Sequence, residues 1–151
     1  MKNISINTIF LSFIGIGFIP IASGTFGSFA GVILGYGINI IDFKIFYFLI
    51  PSLLILGIIG SDIYEKHSGE KDSSIIVMDE VVGQLIAMLP VINNPILIIT
   101  SFILFRLFDI FKPWPASYID KNMKGGLGVM LDDVIAGIYT AIIMYFLNLI
   151  V

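Results

Sequence analysis

The chain has 151 residues, of which 58% are hydrophobic and 13% charged, with a formal net charge of −3 and a mean hydropathy of +1.03. Soluble domains carry about 25% charged residues, so these side chains cannot cover a water-facing surface, and the expected solvent is the bilayer. Cysteine is absent and His67 is the single histidine, which excludes disulfides, thiolate chemistry and any site built on two histidines; the low charge and the lack of a dense Lys/Arg cluster argue against a nucleic-acid partner.

The first apolar block, Ile4 to Ile21, follows Lys2 and ends in small residues, the pattern of a secretory leader. We read it as retained, because cleavage near Ala22 to Gly24 would remove the glycine-rich turn "ASGTFGSFAG" that leads into the second apolar stretch, Phe26 to Ile41. Ile45 to Gly60 is apolar enough to span a bilayer, with Pro51 as an expected kink. Val81 to Ile110 is apolar but interrupted by "PVINNP", which reads as a turn between two helical pieces. Val81 to Leu89 would rise only about 14 Å as an α-helix, short of the roughly 30 Å hydrocarbon core. A partly embedded hairpin or kinked half-helices are therefore expected, with freed backbone groups buried in protein or facing a wet cavity. Val134 to Val151 reads as the last helix.

Two polar segments separate these blocks, Ser61 to Glu80 and Asp109 to Asp133, and hold most of the acidic residues. They read as cytoplasmic loops, since Lys66, Lys71, Lys112, Lys121 and Lys124 all fall within them; Glu65 and His67 read as solvated loop residues. The fold expected is all-α, a small multi-helix membrane-embedded bundle with kinked or re-entrant helices, forming one domain over residues 1–151.

Asp79 and Glu80 precede one apolar piece, and Asp132 and Asp133 precede another, so each pair could simply cap a helix start. Arg106 and Asp109, three residues apart in an apolar helix, weaken that reading. Ionisable groups at membrane depth cost roughly 2.5–3.5 kcal/mol each and tend to mark functional sites. Lys112 extends the charged stripe by three more residues. Clustered carboxylates repel one another unless a cation neutralises them, and Mg²⁺ is the usual hard partner. Arg106 and Lys112 suit phosphate charge, and backbone N–H groups of "SGTFGS" and "GGLG" (Gly24, Thr25, Ser28, Gly125 and Gly126) could line a phosphate. This points to metal-assisted phosphoryl chemistry on an amphiphile. Asp79, Glu80, Asp132 and Asp133 would share the metal, with Asp109 as an additional ligand, and the nucleophile could be water or a carboxylate. The alternative is a small transporter or channel component. Against it stands the bunching of acids at helix mouths, with none in Ile45 to Gly60.

Four ordered motifs, "GFIPIASGTFGS", "SIIVMDEVVGQ", "FRLFDIFKPWP" and "DKNMKGGLGVMLDDVIAG", resemble those of the phosphatidylglycerophosphatase A family over about Gly15 to Tyr145. The resemblance implies Mg²⁺-dependent hydrolysis of the terminal phosphomonoester of phosphatidylglycerophosphate, in the bacterial inner membrane with the site facing the cytoplasm. It adds Asp120 to the polar positions already singled out as Asp79, Glu80, Arg106, Asp109, Lys112, Asp132 and Asp133. Ser23 stands where the family commonly has proline, a change expected to alter only turn stiffness; Ser117 replaces a residue that is often basic, and Tyr118 one that is often Trp.

Overall fold

The computed structural model describes residues 5–71 and 73–151; Lys2 and Ile4 of the leader-like stretch and Asp72 of the first polar segment lie outside them. Among the described residues every regular element is helical, as expected. The first apolar block forms only α1 (Ile6–Leu11), capped by Ser5, whose Oγ accepts from the Thr8 N–H at 3.1 Å, and a 3-10 turn at Ile16–Phe18. Then come α2 (Ser23–Ile41), α3 (Phe46–Ser68), α4 (Met78–Met88), α5 (Pro95–Phe111), α6 (Ala116–Asn122) and α7 (Gly126–Ile150). A 3-10 turn at Leu89–Val91 separates α4 from α5, where the Pro-Asn-rich stretch was expected to break the chain. Asn94 then caps α5, accepting from the Ile96 and Leu97 N–H groups, with Pro95 at the first helical position.

Three boundaries differ from the sequence reading. Helix α3 continues into the expected loop as far as Ser68, since nothing between Gly60 and Gly69 interrupts it. Glu65 and His67 therefore sit in its last turns, with the His67 Nδ1 2.8 Å from the Ile63 carbonyl oxygen. Helix α5 stops at Phe111, and Lys112 adopts a left-handed conformation (φ 42°) just beyond it, so Lys112 does not prolong the helical stripe. Helix α7 begins at Gly126, which places Asp132 and Asp133 two turns inside it and not at its cap.

Helix α4 is the core. Nine of its eleven residues are buried, against α7, α2, α5 and α3. At about 16 Å it is too short to cross a bilayer, whereas α2, the segment Phe43–Ser68 and α7 are each long and apolar enough to do so. Their outer faces carry exposed Ile33, Phe48, Ile55, Ile142 and Phe146, as lipid-facing surfaces should. Gly83 of α4 lies against the backbone of α7, and Gly137 of α7 against the Gly83 carbonyl; a Cβ at either would overlap the partner helix. This close crossing brings the polar turns of α4 and α7 side by side.

The helices alternate in direction. Asn39 donates to Asn93 at 2.9 Å and Asn148 to the Pro90 carbonyl at 3.1 Å, gathering the ends of α2 and α7 with the α4–α5 turn at one pole. The starts of α2, α4 and α7 and the end of α5 meet at the other.

Candidate active site

At that second pole, α4 presents Asp79 and Glu80 from its first turn, and α7 presents Asp132 and Asp133 from its second. One carboxylate oxygen from each of Asp79, Glu80 and Asp133 lies within 4.8 Å of the others. The acids that the sequence separates by more than fifty residues thus converge. Asp132 and Asp133 are only 5% and 3% exposed, at a depth where a lone carboxylate is costly.

Helix α5 supplies the cations' frame. Arg106 forms an ion pair with Asp109, its Nη1 lies 3.9 Å from Glu80 Oε1, and the same nitrogen donates to Ser28 Oγ at 3.3 Å. Gly24 completes this corner, since a Cβ there would overlap Glu80 Oε1 and lie 3.2 Å from Arg106 Nη2. Lys112 donates to Asp132 Oδ2 at 2.6 Å and to Asp120 Oδ1 at 2.7 Å, fastening α6 and α7 to the end of α5. Asp79, Glu80, Asp109, Lys112, Asp132 and Asp133 line one cleft of about 270 Å³, together with Ser23, Ser73, Ser74 and Ile76.

Electrostatics mark the cleft as strained. Burial, reinforced by the charge of Glu80, pushes the Asp79 carboxyl well above its usual range, and burial lifts Glu80 to about 8. For Lys112 burial acts downward, but the hydrogen bonds to Asp120 and Asp132 outweigh it and raise the ammonium. Among the described residues Glu80 Oε2, Asp132 Oδ1, Asp133 Oδ2 and Arg106 Nε are buried without a hydrogen-bond partner. Unsatisfied acceptors of this kind cost roughly 1–3 kcal/mol each, more when charged. An all-oxygen donor set carrying excess negative charge, with acceptors left open, fits a hard divalent cation.

Of the residues singled out in the sequence, Asp109 and Lys112 line the cleft with the acids, whereas Gly24, Ser28 and Arg106 pack behind Glu80 without lining it. Thr25 shares the first turn of α2, its N–H bonded to the Ala22 carbonyl, without lining the cleft. Asp120 reaches the site only through Lys112 and faces a neighbouring cleft. Gly125 and Gly126 are a correction: the Gly126 N–H donates to Asp62 Oδ1 at 2.6 Å, and both glycines pack against α3, so this turn docks α7 and has no free donor at Gly126 for a phosphate. Ser23 is another, because its hydroxyl donates to the Ser74 carbonyl at 2.9 Å and lines the cleft, a role beyond turn stiffness. Asp62, Ser73 and Ser74 were missed; Asp62 carries no local signal, and serines in a polar loop are too common to stand out.

A family model described as phosphatidylglycerophosphatase A matches residues 9–148. The chain belongs to the phosphatidylglycerophosphatase A family. Two relatives bear that name. The one from Escherichia coli K12 is 32% identical over 135 residues, covering 89% of this chain and 78% of the relative. The one from Haemophilus influenzae Rd is 38% identical over 153 residues, covering 96% and 92%. A Bacteroides thetaiotaomicron protein, provisionally named a phosphatidylinositol-3-phosphatase, is 38% identical over 138 residues, covering 86% of each chain. No solved structure matches. Phosphatidylglycerophosphatase A membership makes the chain an enzyme, a phosphatase, and sets the transporter reading aside.

Proposed function

We propose that this protein hydrolyses the terminal phosphomonoester of phosphatidylglycerophosphate to give phosphatidylglycerol and phosphate, with Mg²⁺ as cofactor, at the cytoplasmic face of a bacterial inner membrane. The reading is carried by one observation: three carboxylates from α4 and α7, two buried and Glu80 half-buried, converge beside a paired Arg and a paired Lys, with acceptor oxygens left open. The names of the relatives supply the lipid substrate.

Asp79, Glu80 and Asp133 would hold the ion, and Asp132 would seat Lys112 through its other oxygen. Bound there, Mg²⁺ supplies charge neutralisation and Lewis-acid polarisation of the phosphate. Asp109 and Ser28 both hold the Arg106 guanidinium through Nη1, which sets its positive charge behind Glu80 at the edge of the acid cluster. Lys112, held by Asp120 and Asp132, places a second positive charge on the cleft wall. Gly24 keeps the first turn of α2 close enough for backbone and substrate to meet. In the overall reaction a water oxygen bonds to phosphorus, the phosphorus–oxygen ester bond breaks, and the headgroup oxygen leaves as a hydroxyl.

The test is phosphate release from phosphatidylglycerophosphate by the purified protein in detergent micelles, with Mg²⁺ and with EDTA. Metal-dependent release is expected. Equal rates in both would remove the metal from the reading, and no release from this lipid would remove the substrate.

A further inference from the structure

Exposed apolar side chains do not stop short of the acidic pole. On α5, Ile99, Ile103, Leu107 and Ile110 form one exposed stripe at three- and four-residue spacing. Exposed Phe111 and Trp114 extend it past the helix end, on either side of the cleft-lining Lys112. Trp114 is 78% exposed, yet its turn is fixed, because the Tyr139 hydroxyl donates to the Trp114 carbonyl at 2.8 Å. Tyr139 lies two turns beyond Asp132 on α7, about 10 Å further along the helix. Even with the Tyr139 side chain reaching back toward the helix start, the Trp114 turn stays at the depth of the acids.

A second apolar segment precedes α2. Phe13, Ile14 and Gly15 are successive residues at positive φ (44°, 58° and 96°), and for a β-branched residue that conformation is an outlier. The Ile14 N–H donates to the Ile9 carbonyl at 2.9 Å, and the Gly15 N–H to the buried Ser12 Oγ at 3.1 Å, which hold the turn in place. The outcome is an isoleucine 84% exposed. Strain that pushes an apolar side chain into water has no compensation, whereas strain that pushes it into lipid does. Ile21 is also exposed, two residues before cleft-lining Ser23, and Gly17 packs on the Ile75 carbonyl between cleft-lining Ser74 and Ile76. Both apolar segments thus adjoin the walls of the cleft.

We propose that they form one membrane-interface surface, with Ile14 and Ile21 on one segment and Phe111 and Trp114 on the other. This surface sinks the pole of the cleft into the glycerol and upper acyl layer of its leaflet. Tryptophan favours that layer, and the surface is continuous with the apolar stripe of α5. A lipid phosphate then enters the cleft from within the leaflet; that consequence rests on the phosphatase reading, and the surface itself does not.

Trp114 is the single tryptophan, so its depth is directly readable. The full-length protein is reconstituted in phosphatidylcholine vesicles containing lipid brominated near either the glycerol end or the methyl end of the acyl chain. Its emission is compared with that under aqueous iodide on both sides of the membrane. Emission should fall most with the glycerol-end bromine, and Ile14→Trp in a Trp114→Phe background should give the same order. A different order in that variant divides the surface and overturns it. Strongest quenching by iodide puts the pole in water, and strongest quenching by the methyl-end bromine puts it at the bilayer centre; either overturns the proposal. Emission indifferent to all three, the result expected if a second copy covers the surface, overturns it as well. A protein with Trp114 at the glycerol level that releases no phosphate from the lipid loses the phosphatase reading and keeps the surface.

Discussion

Asp133 concentrates the conflict between stability and function in a single side chain. It is 3% exposed, sits among like charges and has an oxygen without a partner. Asp133→Asn should therefore lower Mg²⁺-dependent phosphate release by at least about 100-fold while stabilising the protein in EDTA by about 1–3 kcal/mol. Thermal melts with and without Mg²⁺ check this: the wild type should gain stability from the ion and the variant should gain little. A variant that melts lower than wild type in EDTA would contradict the picture of uncompensated buried charge. Lys112 behaves in the opposite sense. Lys112→Met leaves Asp132 without its counter-charge and should cost about 1–3 kcal/mol, less than for a fully buried pair because Lys112 is partly exposed. Adding Asp132→Leu should recover stability without recovering activity, a double-mutant cycle that separates holding the fold from holding the substrate. The acids were legible because charge is rare in so apolar a chain. The partners of Lys112 were not, since the left-handed turn after Phe111 redirects it away from the i, i+3 neighbour that helical spacing suggested.

Among the elements, α7 shows where sequence reading fails and why. Asp132 and Asp133 look like a helix start because acids ahead of an apolar run usually cap one. Here the true start is set two turns earlier by Gly125, in a positive-φ conformation (φ 73°) against Asp62, with Gly126 on the Ile58 carbonyl of α3. Those tertiary contacts are invisible in a local window. The apolar blocks themselves were legible, as was the break at "PVINNP", because hydropathy and proline act locally. The α4–α7 crossing depends on Gly83 and Gly137, so Gly137→Val should force the helices apart and carry Asp133 away from Asp79. We expect a loss of stability of about 1–3 kcal/mol from overpacking and loss of phosphatase activity. Gly37→Ala in α2 is the matched control: its added Cβ meets nothing within 4 Å, and helix propensity predicts a gain of up to about 1 kcal/mol. Thermal melts and phosphate release on the two variants should diverge in that way.

For the whole molecule, the alternation of helix directions sorts charge between two poles. The acidic cleft, Lys112 and the segments carrying Lys71, Lys121 and Lys124 lie at one pole, and Lys44, Asn39, Asn93 and Asn148 lie near the other. In the orientation we propose, which the positive-inside tendency supports, the lysine-rich pole faces the cytoplasm, where a newly made phosphorylated lipid would be met. The absence of cysteine makes this measurable without background. Cysteines introduced singly at the exposed positions Lys121 and Lys44 should respond oppositely to a membrane-impermeant maleimide. In intact spheroplasts Lys44→Cys should label and Lys121→Cys should not, and inverted membrane vesicles should reverse the pattern. Labelling of Lys121→Cys from the outer side would turn the molecule over and place the acidic cleft on the wrong face for a cytoplasmic phosphatase. Labelling of both positions from one side would break the alternation of α2, α3 and the α4–α5 hairpin, and with it the geometry that brings Asp79 and Glu80 to the second turn of α7.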